Sequence, residues 1–394
     1  MRKAFDPLVL HTLDAVLRNR ARGRTLSFGE SLDGTRDILI VAARHLTDLL
    51  GIVPAAAALR QRFRLARVHV LASTSCAAAL EGRSEIFSVV PLPDDRTPLL
   101  TREFFELVRD LRRLPFDLAV CTDDGSDRRG RLLAALAGAR LRVGVHPGGQ
   151  DPALNLVVSM AGGEGYRPVQ SLEFLSFLGM ARDRLSPGWD VPPTDRQYAK
   201  RLLDLRRRGR EGWLLGVDPG AGLGNSHPHP EKLAWIVNRL VANRGALPII
   251  LTETPEDPGV AQFKSYLNSP PLEVASRGFR DVLAFGTCCD VVLGGNTSFL
   301  HFAVALDLPA VGLLGRDEDP RWVPTETARR KLLRWQAGDR VSERDVLDVV
   351  DSVRRSRVVE MPLLIEPVVE AEDPASSGAD ADEVGASERS ARRA

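Results

Sequence analysis

Cysteine, net charge and uninterrupted apolar sequence are all scarce in this chain of 394 residues. Its four cysteines, Cys76, Cys121, Cys288 and Cys289, match no metal-ligand spacing. They are expected as small core residues in a reducing compartment, and no structural zinc site is expected. The 53 basic and 52 acidic residues leave a formal charge of +1, which gives no argument for a nucleic-acid partner. No apolar run approaches the roughly 18 to 20 residues that span a bilayer. Charged and polar residues interrupt the N-terminus before Arg24, so no signal-peptide core is read there, and the expected location is the cytoplasm.

The composition is that of a globular protein, 44% apolar and 27% charged, and the length makes two domains the default. Strands and helices are expected to alternate throughout. In the first half, strands are expected at Asp37 to Ala43, Val68 to Leu71, Glu85 to Leu92, Phe116 to Cys121 and Leu141 to Val145. Helices fall between them at Asp48 to Phe63, Glu103 to Leu114 and Arg129 to Ala137. The second half repeats the pattern, with strands at Leu214 to Val217, Ile249 to Leu251, Val291 to Leu293 and Ala310 to Leu314. That alternation predicts an α/β protein built on two doubly wound parallel sheets. The layout is an extension over 1–36, a Rossmann-like lobe over 37–184, a linker and basic entry helix over 185–211, and a second Rossmann-like lobe over 212–358. The linker is read from the run SPGWDVPPT. The acidic tail over 366–394 has no aromatic residue and is expected to be disordered.

Three segments carry chemistry. In GGNTSFLHFAVALDLPAVGLLGRDEDP (294–320) an apolar strand runs into a polar turn, a helix and a second strand. Thr297 and Ser298 can cap that helix, and the amides at its start suit an anion. An ordinary capped helix is the alternative. Asp48 follows a buried strand at a helix start, where a carboxylate faces the crevice of a doubly wound sheet or merely caps the helix. The loop Asp218-Pro-Gly-Ala-Gly-Leu-Gly-Asn-Ser226 has glycines that let backbone amides approach a diphosphate, or simply form a flexible turn.

Those segments, with ILIVAARHLTDLLGIVPAAAALRQRF (38–63) and LLGVDPGAGLGNSHPHPEKLAWIVNRL (214–240), occur in an order and at a spacing that resemble glycosyltransferase family 9, the lipopolysaccharide heptosyltransferases. The resemblance spans roughly residues 37 to 330. It implies a GT-B-like architecture with a cleft between the lobes, the acceptor mostly on the first lobe and the donor mostly on the second. It further implies an inverting, metal-independent transfer without a cofactor, from an ADP-heptose-like nucleotide-sugar to a lipopolysaccharide or other surface-glycan acceptor. The inner membrane face is then where peripheral contact would occur, and the run Arg60, Arg62, Arg64, Arg67 suits anionic lipid.

Carried over residue by residue, the resemblance makes Asp48 the base that takes the acceptor's proton. Gly220, Ala221, Gly222, Asn296, Thr297 and Ser298 would hold the diphosphate, with His301 on a phosphate or ribose and Glu256 on ribose hydroxyls. Arg128, Arg129 and Arg131 would meet phosphates of an anionic glycolipid or glycan acceptor. Several positions depart from the family. Ser226 stands where a lysine balances the leaving group, with His227 beside it as a part-time substitute. Thr297 replaces an aspartate, Phe299-Leu300 replace Gly-Pro, Glu253-Thr254 replace Gly-Gly, and Thr47 replaces a smaller residue. A Phe at this helix start would crowd a diphosphate unless its ring turns away. These departures keep a second reading open: a non-catalytic relative that keeps the fold and serves as a binding or scaffold protein. A sugar-nucleotide epimerase is disfavoured by the same missing lysine.

Overall fold

The computed structural model describes Leu32 and residues 34–92, 101–123, 127–145, 151–158, 165–180, 187–220, 229–315, 318–334 and 343–359. The extension over 1–36, apart from Leu32 and residues 34–36, and the tail 366–394 lie outside the described residues.

The first sheet is built from β1 (Asp37–Ala43), α1 (Leu49–Arg62), β2 (Arg67–Ala72), α2 (Thr74–Leu80), β3 (Ser88–Pro91), α3 (Arg102–Arg112), β4 (Leu118–Cys121), α4 (Arg128–Leu136), β5 (Leu141–Val145) and β6 (Leu156–Val158). Its strands are all parallel, in the order β3-β2-β1-β4-β5-β6. Next come α5 (Arg167–Glu173) and α6 (Pro193–Arg207). The second sheet is built from β7 (Trp213–Asp218), α7 (Pro230–Arg244), β8 (Ala246–Ile250), α8 (Pro258–Ser265), α9 (Phe279–Cys288), β9 (Val291–Gly295), α10 (Ser298–Ala305), β10 (Ala310–Leu314) and β11 (Arg330–Arg334), closed by α11 (Glu343–Val359). It too is all parallel, in the order β11-β10-β9-β7-β8. The two doubly wound α/β sheets read from the sequence are therefore present.

The central strands β4, β7, β9 and β10 are buried along their whole length and largely apolar, because both faces are covered. In β1, Ile38 and Ile40 enter the core shared with α1, while Leu39 and Val41 enter the core with Phe104 and Leu111 of α3 and Leu132 of α4. β7 divides likewise, with Leu214 on one face and Leu215 and Val217 on the other. Three elements were not expected: α2, the edge strand β6 and the edge strand β11.

The first of these cores runs without a break from one sheet to the other. Leu46, Leu49 and Leu50 from the turn after β1 and from α1 join Trp189, Phe279, Phe299 and Phe302 in it. Phe302 is fully buried, with the rings of Trp189 and Phe279 edge-on to it at 4.9 and 4.7 Å. Polar ties flank this seam. Arg83 lies over the Trp189 ring at 3.9 Å and pairs with Asp190, and Arg280 of α9 reaches the Glu81 carbonyl (3.1 Å) and Asp195 (2.9 Å). The basic run from the last turn of α1 into β2 is partly committed: Arg60 donates to the Ser84 carbonyl, and Arg67 pairs with the buried Asp37 at 2.7 Å. Cys76, Cys121 and Cys289 are buried and all four cysteines are free, as small core residues should be.

Gly216 marks where packing is tightest in the second sheet. A Cβ there would lie 2.6 Å from Leu251 Cδ1 and 2.9 Å from Cys289 Sγ, closer than any real contact. Gly216→Ala is expected to cost about 1–3 kcal/mol through overpacking. Gly165→Ala, whose Cβ would meet the flexible Gln170 side chain at 3.4 Å, should stay within about 0.5 kcal/mol. Urea unfolding of the two variants beside the parent measures the difference.

Candidate functional site

In an open parallel sheet, the loops leaving the strands' carboxyl ends diverge where the strand order reverses, and a crevice opens there. In the first sheet that place lies between β1 and β4, in the second between β7 and β9. Both crevices carry the residues singled out from the sequence.

After β1, the chain turns sharply from Arg44 to Asp48. Asp48 Oδ2 accepts the backbone N–H groups of Arg44 (3.0 Å) and His45 (2.9 Å), which fixes the turn. The Arg44 guanidinium forks onto both oxygens of Asp127 at 2.9 Å, and Asp127 caps α4 by accepting the Gly130 N–H. The loops after β1 and β4 are thus braced to each other. Burial pushes the Asp48 carboxyl above its ordinary pKa, opposed by those backbone donors and by the charges of His45 and Arg167.

After β7, Asp218 is buried and both its oxygens are engaged. Oδ1 accepts the Gly220 N–H at 3.0 Å, and Oδ2 accepts the Thr297 hydroxyl. Gly220 has φ +69°, a conformation glycine adopts without penalty. Gly294 lets β9 close on β7, since a Cβ there would sit 3.0 Å from Asp218 Cβ and from its carbonyl oxygen. Thr297 caps α10 by accepting the Leu300 N–H at 3.4 Å, so the capping role expected of it holds, and Ser298 is the first helical residue. The Phe299 ring turns into the core. Only a glycine at 286 allows this, because a Cβ there would lie 2.9 Å from the ring. The crowding expected from Phe299 is thereby relieved.

Between the two edges lies a cavity of about 710 Å³. Its wall comes from the turn after β1 (His45, Leu46, Thr47), the end of β7 (Asp218) and the segment after β8 (Thr252, Glu253, Thr254). Asn296 to Phe299, His301 and the turn after β10 (Glu318, Asp319, Trp322) add to it, with Ser75, Leu251, Phe279 and Val282 completing the lining. Asp48 follows Thr47 in the chain and is not itself part of the lining. His301 is 3% exposed and hydrogen-bonds through Nδ1 to the Tyr166 hydroxyl at 2.6 Å. Burial lowers its pKa to about 4, so the ring is neutral at pH 7. Asn296 donates to Glu318 Oε2 at 2.8 Å. Glu253 stays solvent-accessible at the cavity wall, yet desolvation there, with repulsion from Asp218, raises its pKa to about 7.

Some expected assignments change. Arg131 is 3% exposed, with its guanidinium held by Asp123 and Asp151, both at 2.7 Å. It is a structural ion triad and is not presented to an acceptor. Arg128 and Arg129 begin α4 half-buried, outside the lining of this cavity. Glu256 is exposed and also off the cavity, so the carboxylate the strand delivers there is Glu253. Ala221, Gly222, Ser226 and His227 lie outside the described residues. Sequence reasoning passed over His45, Asp218, Tyr166 and Trp322. Asp218, immediately before Pro-Gly-Ala-Gly, was the most readable of them.

The sequence matches no protein-family model and no curated protein. The fold, in contrast, matches solved structures over nearly their full length. Against the glycosyl transferase family 9 structure from Veillonella parvula DSM 2008 the TM-score is 0.67 at 14% identity, covering 84% of this chain and 100% of that one. Against E. coli ADP-heptose lps heptosyltransferase II it is 0.64 at 18%, covering 82% and 99%. Against E. coli heptosyltransferase WaaC with ADP it is 0.58 at 15%, again covering 82% and 99%. At such identities the likeness is one of fold: this chain has the two-lobed GT-B-like architecture of family 9 structures, as the sequence resemblance implied.

Proposed function

We propose that this protein is a glycosyltransferase. It transfers a sugar from a nucleotide-activated donor, of the ADP-heptose kind, to a hydroxyl of a lipopolysaccharide-like or other anionic surface glycan, by a single inverting displacement without a metal. The observation that carries the reading is the cavity itself. It joins the carboxyl edges of two parallel sheets at both crevices, with the Asp48 turn on one side and the capped start of α10 on the other. The fold likeness to family 9 structures, one of them holding ADP, supports it.

In this reading the diphosphate rests on the amides at the start of α10 and on the Gly220 turn. Glu253 takes the ribose hydroxyls in place of Glu256. The acceptor enters past His45 and Thr47, and Asp48 receives its proton as oxygen bonds to the anomeric carbon and the diphosphate leaves. Burial makes the Asp48 carboxylate more basic than a surface one, which suits that task. Arg128 and Arg129 are the cations proposed for acceptor phosphates, and the protein works in the cytoplasm at the inner membrane face.

One observation favours the second reading, a non-catalytic relative. The described lining carries four carboxylates (Asp218, Glu253, Glu318 and Asp319) and no lysine or arginine. Calorimetric titration with ADP, UDP, GDP and ADP-heptose separates the two readings. Micromolar binding of one of them is expected for the transferase. Failure of all four would move the protein to the second reading.

Two further outcomes are expected. Asp48→Asn should keep nucleotide affinity within about threefold while transfer falls by about 10²–10⁴, the usual contribution of a general base. Equal losses in both would make Asp48 a structural residue only. Glu253 holds its proton to about pH 7 when folded but releases it near 4.5 when unfolded. Its contribution therefore turns unfavourable as pH rises from 4.5 to 7 and stays so above. Glu253→Gln should raise the melting temperature at pH 8 and leave it unchanged at pH 4; thermal scans at the two values check the sign.

A further inference from the structure

We infer that the wall formed by Trp322, Glu318 and Asn296 is the subsite for the ring of a neutral, hydroxyl-rich sugar. This deepens the proposed function by naming where the transferred group sits, and it rests on that reading only in taking the ring to belong to an activated donor.

Trp322 ends a short 3-10 turn (Pro320–Trp322) that Asp319 fixes, accepting the Arg321 backbone N–H at 3.0 Å and gripping its guanidinium at 2.7 Å. The indole stands at 73° to the His301 ring, 5.5 Å between centroids. Behind it, His301 stacks on Tyr166 at 5.7 Å and is bonded to that hydroxyl. The indole is therefore oriented by a fixed aromatic stack while it borders the cavity. The indole is half-buried, and its N–H meets no acceptor among the described residues.

Glu318 offers the complementary chemistry. Oε2 accepts from Asn296 and Oε1 from the Gly315 N–H at 3.3 Å. A carboxylate has about four acceptor sites, so about two remain for hydroxyl donors. Asn296 Oδ1 is buried and has no partner among the described residues, which adds an acceptor in want of a donor. Aromatic surface, spare carboxylate acceptors and a free N–H donor together suit a pyranose, which places C–H groups on the ring and hydroxyls on the acceptors. They do not suit a phosphate. Glu318 and Asp319 place two carboxylates beside the indole, and that side repels an anion. The diphosphate belongs at the start of α10, the sugar against Trp322.

The test uses the full chain labelled with 5-fluorotryptophan, whose five resonances resolve by fluorine NMR, with Trp322→Phe assigning the one of interest. Methyl pyranosides of gluco, manno and galacto configuration are titrated first, then ADP and UDP separately. One glycoside is expected to shift the Trp322 signal saturably, and Glu318→Gln should weaken that glycoside about tenfold, the loss of a charge-assisted hydrogen bond. Absence of any shift up to about 100 mM, far above the millimolar range of weak sites, overturns the subsite. So does a shift that Glu318→Gln leaves unchanged. Glycosides that shift Trp322 while neither nucleotide binds keep the subsite and remove the nucleotide donor. Nucleotide binding with a silent Trp322 keeps the donor site and removes the subsite.

Discussion

The apolar seam closed by Phe302 is the constraint on which everything else here rests. Two parallel sheets each leave a row of strand ends exposed, and neither row alone makes an enclosed site. Packing Phe302 between Trp189 and Phe279, and α10 against the turn after β1, brings the rows together. α10 therefore has two duties. Its first turn, Ser298 and Phe299, borders the cavity, and its body is a wedge buried between the sheets. That explains why the helix is apolar nearly all round, with Phe299 to Ala303 buried. It also explains the Phe299-Leu300 pair, which serves the seam where a Gly-Pro would serve only the turn.

Most of the framework was legible because its strands are buried on both faces. DILIVAA, LRVGV and AVGLL read as strands at their observed bounds, since no polar alternation confuses a fully covered strand. What escaped was peripheral and short. β6 has three half-buried residues, and β11, RKLLR, is an edge strand whose charges mask its pattern. α2, TSCAAAL, is a single small-residue stretch of two turns. The break at SPGWDVPPT was visible, but Pro193 begins α6 inside it because proline is favoured at a helix's first position.

Which loops border the cavity was legible in outline; how their side chains pair was not. A cap can be read from local sequence, and Thr297 was. Burial of a charge by distant partners cannot, and Arg131 disappears between Asp123 and Asp151, which come from separate loops. The choice between Glu253 and Glu256 turned on the exit path of the chain after β8, which no periodicity encodes. Trp322 lies in GRDEDPRW, whose polar residues and proline read as plain loop; its worth comes from the His301 and Tyr166 rings behind it, the latter more than a hundred residues away in sequence.

The electrostatics of the cavity bring these strands of argument to one point. At an effective dielectric near 20, two unit charges about 6 Å apart repel by about 3 kcal/mol. A helix terminus returns only about 0.3–2 kcal/mol to an anion. An acid-lined cavity would thus reject a nucleotide diphosphate if every carboxylate kept its full charge and faced it. The structure limits that repulsion in two ways. Asp218 spends both oxygens on Gly220 and Thr297, drawing its charge into the turn proposed to hold the anion. Glu253, with a pKa of about 7, is half protonated at neutral pH, so that it repels less and can donate a hydrogen bond. Glu318 is tied to Asn296 on the side of Trp322, where hydroxyls welcome a carboxylate and phosphates do not need to go. Negative charge in this cavity is sorted by position, and in the proposed reading that sorting sets the start of α10 apart for an anion and the Trp322 and Glu318 wall for a neutral ring.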